Sequence, residues 1–192
     1  LPAGVLNLIT TTESRDVSAA IIDHPALRKL SFTGSTEVGQ QLLKQAATGV
    51  LRTSMELGGN APFLVFEDAD LDAAVEGAIL AKFRNIGQAC TAANRFIVAR
   101  PVVDEFIDKV TKRVREMKVG RGTEDGVIVG PLIDDKAVEK AVALVADATK
   151  RGAMINVGGV SIPGPGSFLE PTVISDVAPG SAILTEEIFG PV

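Results

Sequence analysis

The apolar positions of this chain change period several times, and each change marks an expected element. Residues 5–10 form a short β-branched run, and residues 16–23 carry helical spacing. Residues 27–33 read as a strand, 37–47 return to helical spacing, and 50–57 are strand-like again. A strand–helix–strand–helix–strand run predicts a parallel sheet, because parallel strands need a long crossover that a helix supplies. A second set follows: a strand over 62–66, a helix over 71–84, a strand over 95–99 and a helix over 102–117. Residues 120–130 read as a loop, 135–151 as a long Ala- and Val-rich helix, and 152–166 as a turn or hairpin before a strand over 172–177. The expected fold class is α/β with parallel-sheet segments and no internal repeat.

Composition narrows what such a fold does. At 192 residues and 46% hydrophobic, the chain can bury a sizeable core, yet no apolar run approaches the eighteen or so residues of a membrane span. A net charge of -5 and an aromatic content of 4%, with no Trp or Tyr, leave little to neutralise phosphates or stack on bases. Neither a membrane nor a nucleic acid is an expected partner. The single cysteine, Cys90, can make no disulfide within the chain, which suits a reducing compartment, and the cytoplasm is the expectation. The chain opens on Leu1-Pro2-Ala3-Gly4-Val5 and stops in an apolar run after Phe189, so both ends are expected to be cuts in a longer protein.

Four segments carry possible chemistry. Cys90 lies in Gly87-Gln88-Ala89-Cys90-Thr91-Ala92, where small neighbours would let a substrate reach the sulfur. A free cysteine also serves as a small buried hydrophobe. Glu56 ends an apolar strand before Gly58-Gly59; partial burial beside Cys90 would raise its pKa toward general-base range, whereas the plainer reading has it merely pointing into solvent. Phe32-Thr33-Gly34-Ser35-Thr36-Glu37-Val38-Gly39 joins a strand to a helix, where backbone N–H groups and hydroxyls suit a pyrophosphate. The middle glycine of the usual dinucleotide fingerprint is replaced by Thr36, and a simple Ser/Thr-capped helix explains the same residues. Thr185-Glu186-Glu187-Ile188-Phe189-Gly190-Pro191 places an acid and an aromatic two apart, able to grip a ribose and a flat ring. The acid run over 67–72 looks like a metal cluster, but Asp70 as a helix N-cap accounts for it, and no metal is expected. His24, before Pro25 and without a partner, reads as a surface or capping residue.

In order and residue type these four segments resemble the aldehyde dehydrogenase superfamily, and the resemblance covers essentially all 192 residues. Val129-Gly130-Pro131-Leu132 and Leu169-Glu170-Pro171-Thr172 also resemble family landmarks. The resemblance implies that residues 1–60 end an NAD(P)-binding domain and that 61–192 are a truncated catalytic domain. It implies Cys90 as nucleophile, Glu56 as general base, and a site for NAD or NADP that includes Gly34, Ser35, Gly39, Leu57, Glu187 and Phe189. The thiolate would attack an aldehyde, hydride would pass to the nicotinamide, and Glu56 would activate water against the resulting thioester. Half of the oxyanion hole, an upstream Asn, lies outside this chain, as does the cofactor-gripping lysine, so these 192 residues alone are expected to turn over little. Arg84, six residues before Cys90, is similar to an arginine of the succinate-semialdehyde dehydrogenase branch that pairs with the substrate's far carboxylate. A solvent-facing Arg at a helix C-terminus is the plainer account. Some members of that branch carry a second cysteine where Ala92 stands, so no redox switch is implied here. The parent would be a homo-oligomer, a dimer or tetramer, acting on a small aldehyde. Two other functions fit the residues less fully: a cofactor-independent cysteine hydrolase using Cys90 and Glu56, and a non-catalytic binding or assembly domain.

Overall fold

The computed structural model describes residues 1–192, which divide into two compact units, Leu1–Gly58 and Gly59–Val192. The first holds α1 (Ser14–Ile22), β1 (Lys29–Gly34), α2 (Thr36–Thr48) and β2 (Arg52–Leu57). β1 and β2 pair in parallel with Thr33 opposite Glu56 and Gly34 opposite Leu57. Helix α2 starts where Ser35 leaves the strand, its hydroxyl accepting from the Val38 N–H at 3.3 Å.

The second unit is built on β3 (Ala61–Val65) and β4 (Ala93–Val98), a parallel pair covered by α3 (Leu71–Phe83) and α4 (Val103–Arg115). Asp70 caps α3, accepting from the Ala73 N–H at 3.1 Å, which is the capping role expected of the acid run. Apolar residues circle α3, but only one face is buried: Val75, Ala78 and Phe83 point inward, while Leu80 is 63% exposed. Helix α4 is two-faced instead. Phe106 and Val114 point inward, acids open its first turn, and bases close its last, an arrangement the helix dipole favours. Phe106 packs with Val65, Val75 and Ala78, and burial of such a side chain stabilises by about 1.5–3 kcal/mol. The Arg113–Glu76 pair at 3.0 Å is solvent-exposed and contributes no more than about 1 kcal/mol.

The chain continues through β5 (Lys118–Val119), β6 (Val127–Val129), α5 (Asp135–Lys150), β7 (Met154–Val157) and β8 (Val173–Ser175). α5 lays Leu144 and Ala148 against Ala153, Ile183 and Ile188, which anchors the last segment of the chain.

Several expectations change. Residues 5–10 form no strand; Leu6 and Leu8 are 81% and 90% exposed, and without a partner edge a β-branched run has nothing to pair with. The strands form four separate pairs, three of them parallel and β7–β8 antiparallel. The stretch 120–130 contains β6, paired with β5, and 152–166 contains β7. These strands are two to four residues long, too short to show a period.

Candidate active site

In the first unit the parallel register brings two of the expected segments to the same sheet end. Glu56, next to last in β2, lies directly opposite Thr33, and Leu57 closes the strand opposite Gly34 and the turn into α2. The carboxyl ends of parallel strands are where α/β folds collect ligands. With Ser35 engaged as cap, the remaining first-turn N–H groups of α2 have no intrahelical partner and suit an anion. Gly39 is buried in α2 and packs so closely on Leu57 that a Cβ there would lie 2.5 Å from Leu57 Cδ2. Glu56 itself is exposed, so the partial burial expected of it is absent from these residues. The reason is local: β2 has a single neighbour, β1, and no layer covers its last carboxylate.

In the second unit, Cys90 occupies the crossover from α3 to β4. α3 ends on Phe83 with Arg84 as its C-cap, and the chain then folds through consecutive turns: Ile86 N–H donates to Phe83 O at 2.9 Å, Gln88 N–H to Asn85 O at 2.9 Å, and Ala92 N–H to Ala89 O at 3.0 Å. Asn85 Nδ2 donates to Gln88 O at 2.8 Å, and Gln88 Oε1 accepts from the Ile133 N–H at 3.1 Å. Gly87 takes φ +75°, which a side chain rarely adopts. The Cys90 thiol is exposed, not packed as a core hydrophobe, and the Cys90 N–H has no acceptor within the chain. Ala92 beside it is buried. Arg84 is exposed, and its guanidinium makes no ion pair or hydrogen bond.

The segment with Glu187 and Phe189 is tied down from three directions. Asn60 Nδ2 donates to Glu186 O at 2.8 Å, Lys140 Nζ to Glu187 O at 2.7 Å, and Thr172 N–H to Pro191 O at 2.8 Å. One carboxylate oxygen of Glu187 is buried with no hydrogen-bond partner. Such an oxygen is costly unless a ligand hydroxyl meets it. Phe189 is 42% exposed and takes φ +52°, a conformation uncommon for a residue with a side chain.

A buried residue that the sequence reading passed over lies between these parts. Lys82 is 2% exposed and donates through Nζ to Asn94 Oδ1 at 2.6 Å; burial alone pushes its pKa down to about 7. Asn94 Nδ2 donates in turn to Asn60 Oδ1 at 2.9 Å and to Gly59 O at 3.3 Å, and Arg95 Nε donates to Asn60 O at 3.0 Å. The signal was present: Lys82 follows Val75, Ala78 and Ile79 at helical spacing, which puts it on the inward face of α3.

The model of the aldehyde dehydrogenase family matches residues 1–192. The chain belongs to the aldehyde dehydrogenase family. It is 53% identical over 192 residues to a succinate-semialdehyde dehydrogenase of Paenarthrobacter nicotinovorans, covering 100% of this chain and 43% of that protein. To a glutarate-semialdehyde dehydrogenase of Pseudomonas putida it is 48% identical over 191 residues, 100% of this chain and 39% of the relative. Among solved structures, an Escherichia coli NADP-dependent enzyme superposes with a TM-score of 0.96 at 47% identity, over 100% of this chain and 40% of its own. The chain thus spans about two fifths of the length of the relatives it matches. Its α/β fold is that of the family. No helix is long and apolar enough to cross a membrane.

Of the expected residues, Gly34, Ser35, Gly39, Glu56 and Leu57 fall in the first unit, and Arg84, Cys90, Glu187 and Phe189 in the second.

Proposed function

We propose that the protein carrying this chain is an NAD(P)-dependent aldehyde dehydrogenase that oxidises a short aldehyde with a carboxylate at its far end, succinic semialdehyde or a close homologue, to the acid. The observation that carries this reading is the exposed Cys90, on a turn whose own N–H is free, six residues after the exposed C-cap Arg84, whose guanidinium is unpaired. Relatives named for succinate and glutarate semialdehydes support the substrate class, since both names describe aldehydes with a distal carboxylate.

On this reading the first unit is the end of the dinucleotide-binding domain and the second is most of the catalytic domain. Gly34, Ser35, Gly39 and Leu57 would bind the dinucleotide, and Glu187 and Phe189 would bind its nicotinamide ribose; the unpartnered oxygen of Glu187 suits a ribose hydroxyl. When bound, the dinucleotide accepts the hydride that leaves the aldehyde carbon. Cys90 thiolate adds to that carbon, and the developing alkoxide meets the Cys90 N–H. Loss of hydride re-forms the C=O bond as a thioester on Cys90. Glu56 then takes a proton from water, the hydroxide adds to the thioester, and the Cys90 thiolate leaves with the carboxylic acid released. Arg84 orients the far carboxylate through two parallel N–H···O bonds. A thiol that must stay reduced fits the cytoplasm as the working compartment.

The test is NAD(P)H formation by the full-length protein with succinic semialdehyde and either NAD or NADP. Cys90→Ala should abolish it, and Glu56→Gln should keep a first-turnover burst while slowing the steady state. Aldehyde- and dinucleotide-independent ester cleavage through Cys90, without NAD(P)H, would point instead to a cysteine hydrolase.

A further inference from the structure

We propose that Lys82 is a positioning residue, which through Asn94 and Asn60 clasps the neck of the Cys90 turn to the segment bearing Glu187 and Phe189. The proposal rests on the dehydrogenase reading for what Cys90 does, but its geometry lies wholly within the second unit.

The Lys82–Asn94 hydrogen bond joins residues twelve apart in sequence, on the last turn of α3 and the second residue of β4. Everything between them is the loop that presents Cys90. Closing a loop at its base removes most of the freedom with which its ends can separate. From Asn94 the chain of bonds continues to Asn60 and from Asn60 to the Glu186 carbonyl, one residue before Glu187. Asn94 also binds the Gly59 carbonyl and the Asn60 side chain also binds the Glu186 carbonyl, so neither asparagine can turn without breaking a second contact, and Arg95 holds the Asn60 backbone as well. Inside the loop, Lys82 Cε would lie 3.2 Å from a Cβ on Gly87, and the same Cβ would lie 2.1 Å from Gly190 O. The lysine stem therefore lies beside the turn at the point where the turn meets the 186–190 segment.

Packing does not account for a lysine here. Its stem lines an otherwise mainly apolar cavity of about 440 Å³ with Ile79, Phe83, Val173 and Ile188, and no carboxylate pairs with its nitrogen. A methionine would fill the same volume without the penalty of burying an amine. What lysine adds is the donor that orients Asn94. With the amide oxygen held by Lys82, the amide nitrogen is directed at Asn60 and Gly59.

The experiment uses the full-length protein and compares wild type with Lys82→Met, Asn94→Ala and the double variant. Two readouts are taken: kcat and KM with succinic semialdehyde, and the rate of Cys90 alkylation by iodoacetamide. Each single variant should lose about tenfold or more in kcat, with the aldehyde KM held within about twofold, since displaced reacting groups cost rate before they cost binding. Alkylation should change about threefold or more in both singles, and the double variant should be no worse than the poorer single, the non-additive result expected of one connected network. Additive losses, or wild-type kcat and alkylation in a folded Lys82→Met, would overturn the proposal. Should Lys82→Met not fold, Asn60→Ala takes its place in the cycle with the same expected outcomes. A wild-type protein that makes no NAD(P)H would end the dehydrogenase reading, while the alkylation cycle would still decide the clasp.

Discussion

Gly87 lies against the backbone of Gly190, so that a methyl group on Gly87 would come 2.1 Å from the Gly190 oxygen and 2.7 Å from its carbonyl carbon. The turn that carries the thiol and the segment that carries Glu187 and Phe189 thus meet backbone to backbone. Only a residue without a side chain allows that approach, and at φ +75° only glycine takes the conformation at little cost. Gly87→Ala should therefore destabilise the protein by about 2–4 kcal/mol and alter Cys90 alkylation even at temperatures where the variant is folded. Urea unfolding together with iodoacetamide kinetics checks this, and a shift under about 0.5 kcal/mol would show that the two segments part easily.

The lowered pKa of Lys82 makes stability depend on pH. The unfolded lysine stays protonated to about 10.5, the folded one only to about 7, so between those values the unfolded chain binds more protons and stability rises with pH. The rise is at most about 5 kcal/mol, at about 1.4 kcal/mol per pKa unit. Lys82→Met lacks it, so denaturation at pH 7 and pH 10 should show the wild type gaining on the variant as pH increases. A constant difference across that window would mean that the buried nitrogen stays charged.

Arg84→Gln separates carboxylate recognition from a capping role. A charge-assisted pair contributes about 1.5–3 kcal/mol, so kcat/KM should fall about tenfold or more for succinic semialdehyde and under about twofold for an uncharged aldehyde of similar length. Equal losses on the two substrates would place Arg84 in the fold and not at the substrate.

Gly39→Ala probes the first unit. The added methyl meets the far end of Leu57, 2.5 Å from Cδ2, which can turn aside, and alanine favours the helix by about 1 kcal/mol. Stability should stay within about 1 kcal/mol of wild type while the KM for the dinucleotide rises, because Leu57 pairs in register with Gly34. An unchanged KM would remove Gly39 and Leu57 from the cofactor site.

The helices were legible almost to the residue. α3 and α5 begin and end within a residue or so of the expected 71–84 and 135–151, because a helix is made from neighbours three and four apart and its caps are local, as Asp70 shows. The strands were legible where they are long: β2, β3 and β4 fall where apolar runs predicted them. Residues 5–10 have the composition of a strand and are not one, and β5, β6 and β7 are too short to announce themselves. A strand needs an edge to pair with, and residue type cannot supply it.

The candidate site divides in the same way. By itself the sequence determined the family-like segments around Gly34, Glu56, Cys90 and Glu187, since each is a short run recognisable by residue type and order. Only the tertiary structure decided that Cys90 is exposed with a free N–H, that Glu56 is exposed, and that Lys82 is buried in a network through Asn94 and Asn60. Burial and hydrogen-bond partnership depend on which distant segments pack together, and the bonds from Lys82 to Asn94, Asn60 and Glu186 join stretches up to 126 residues apart.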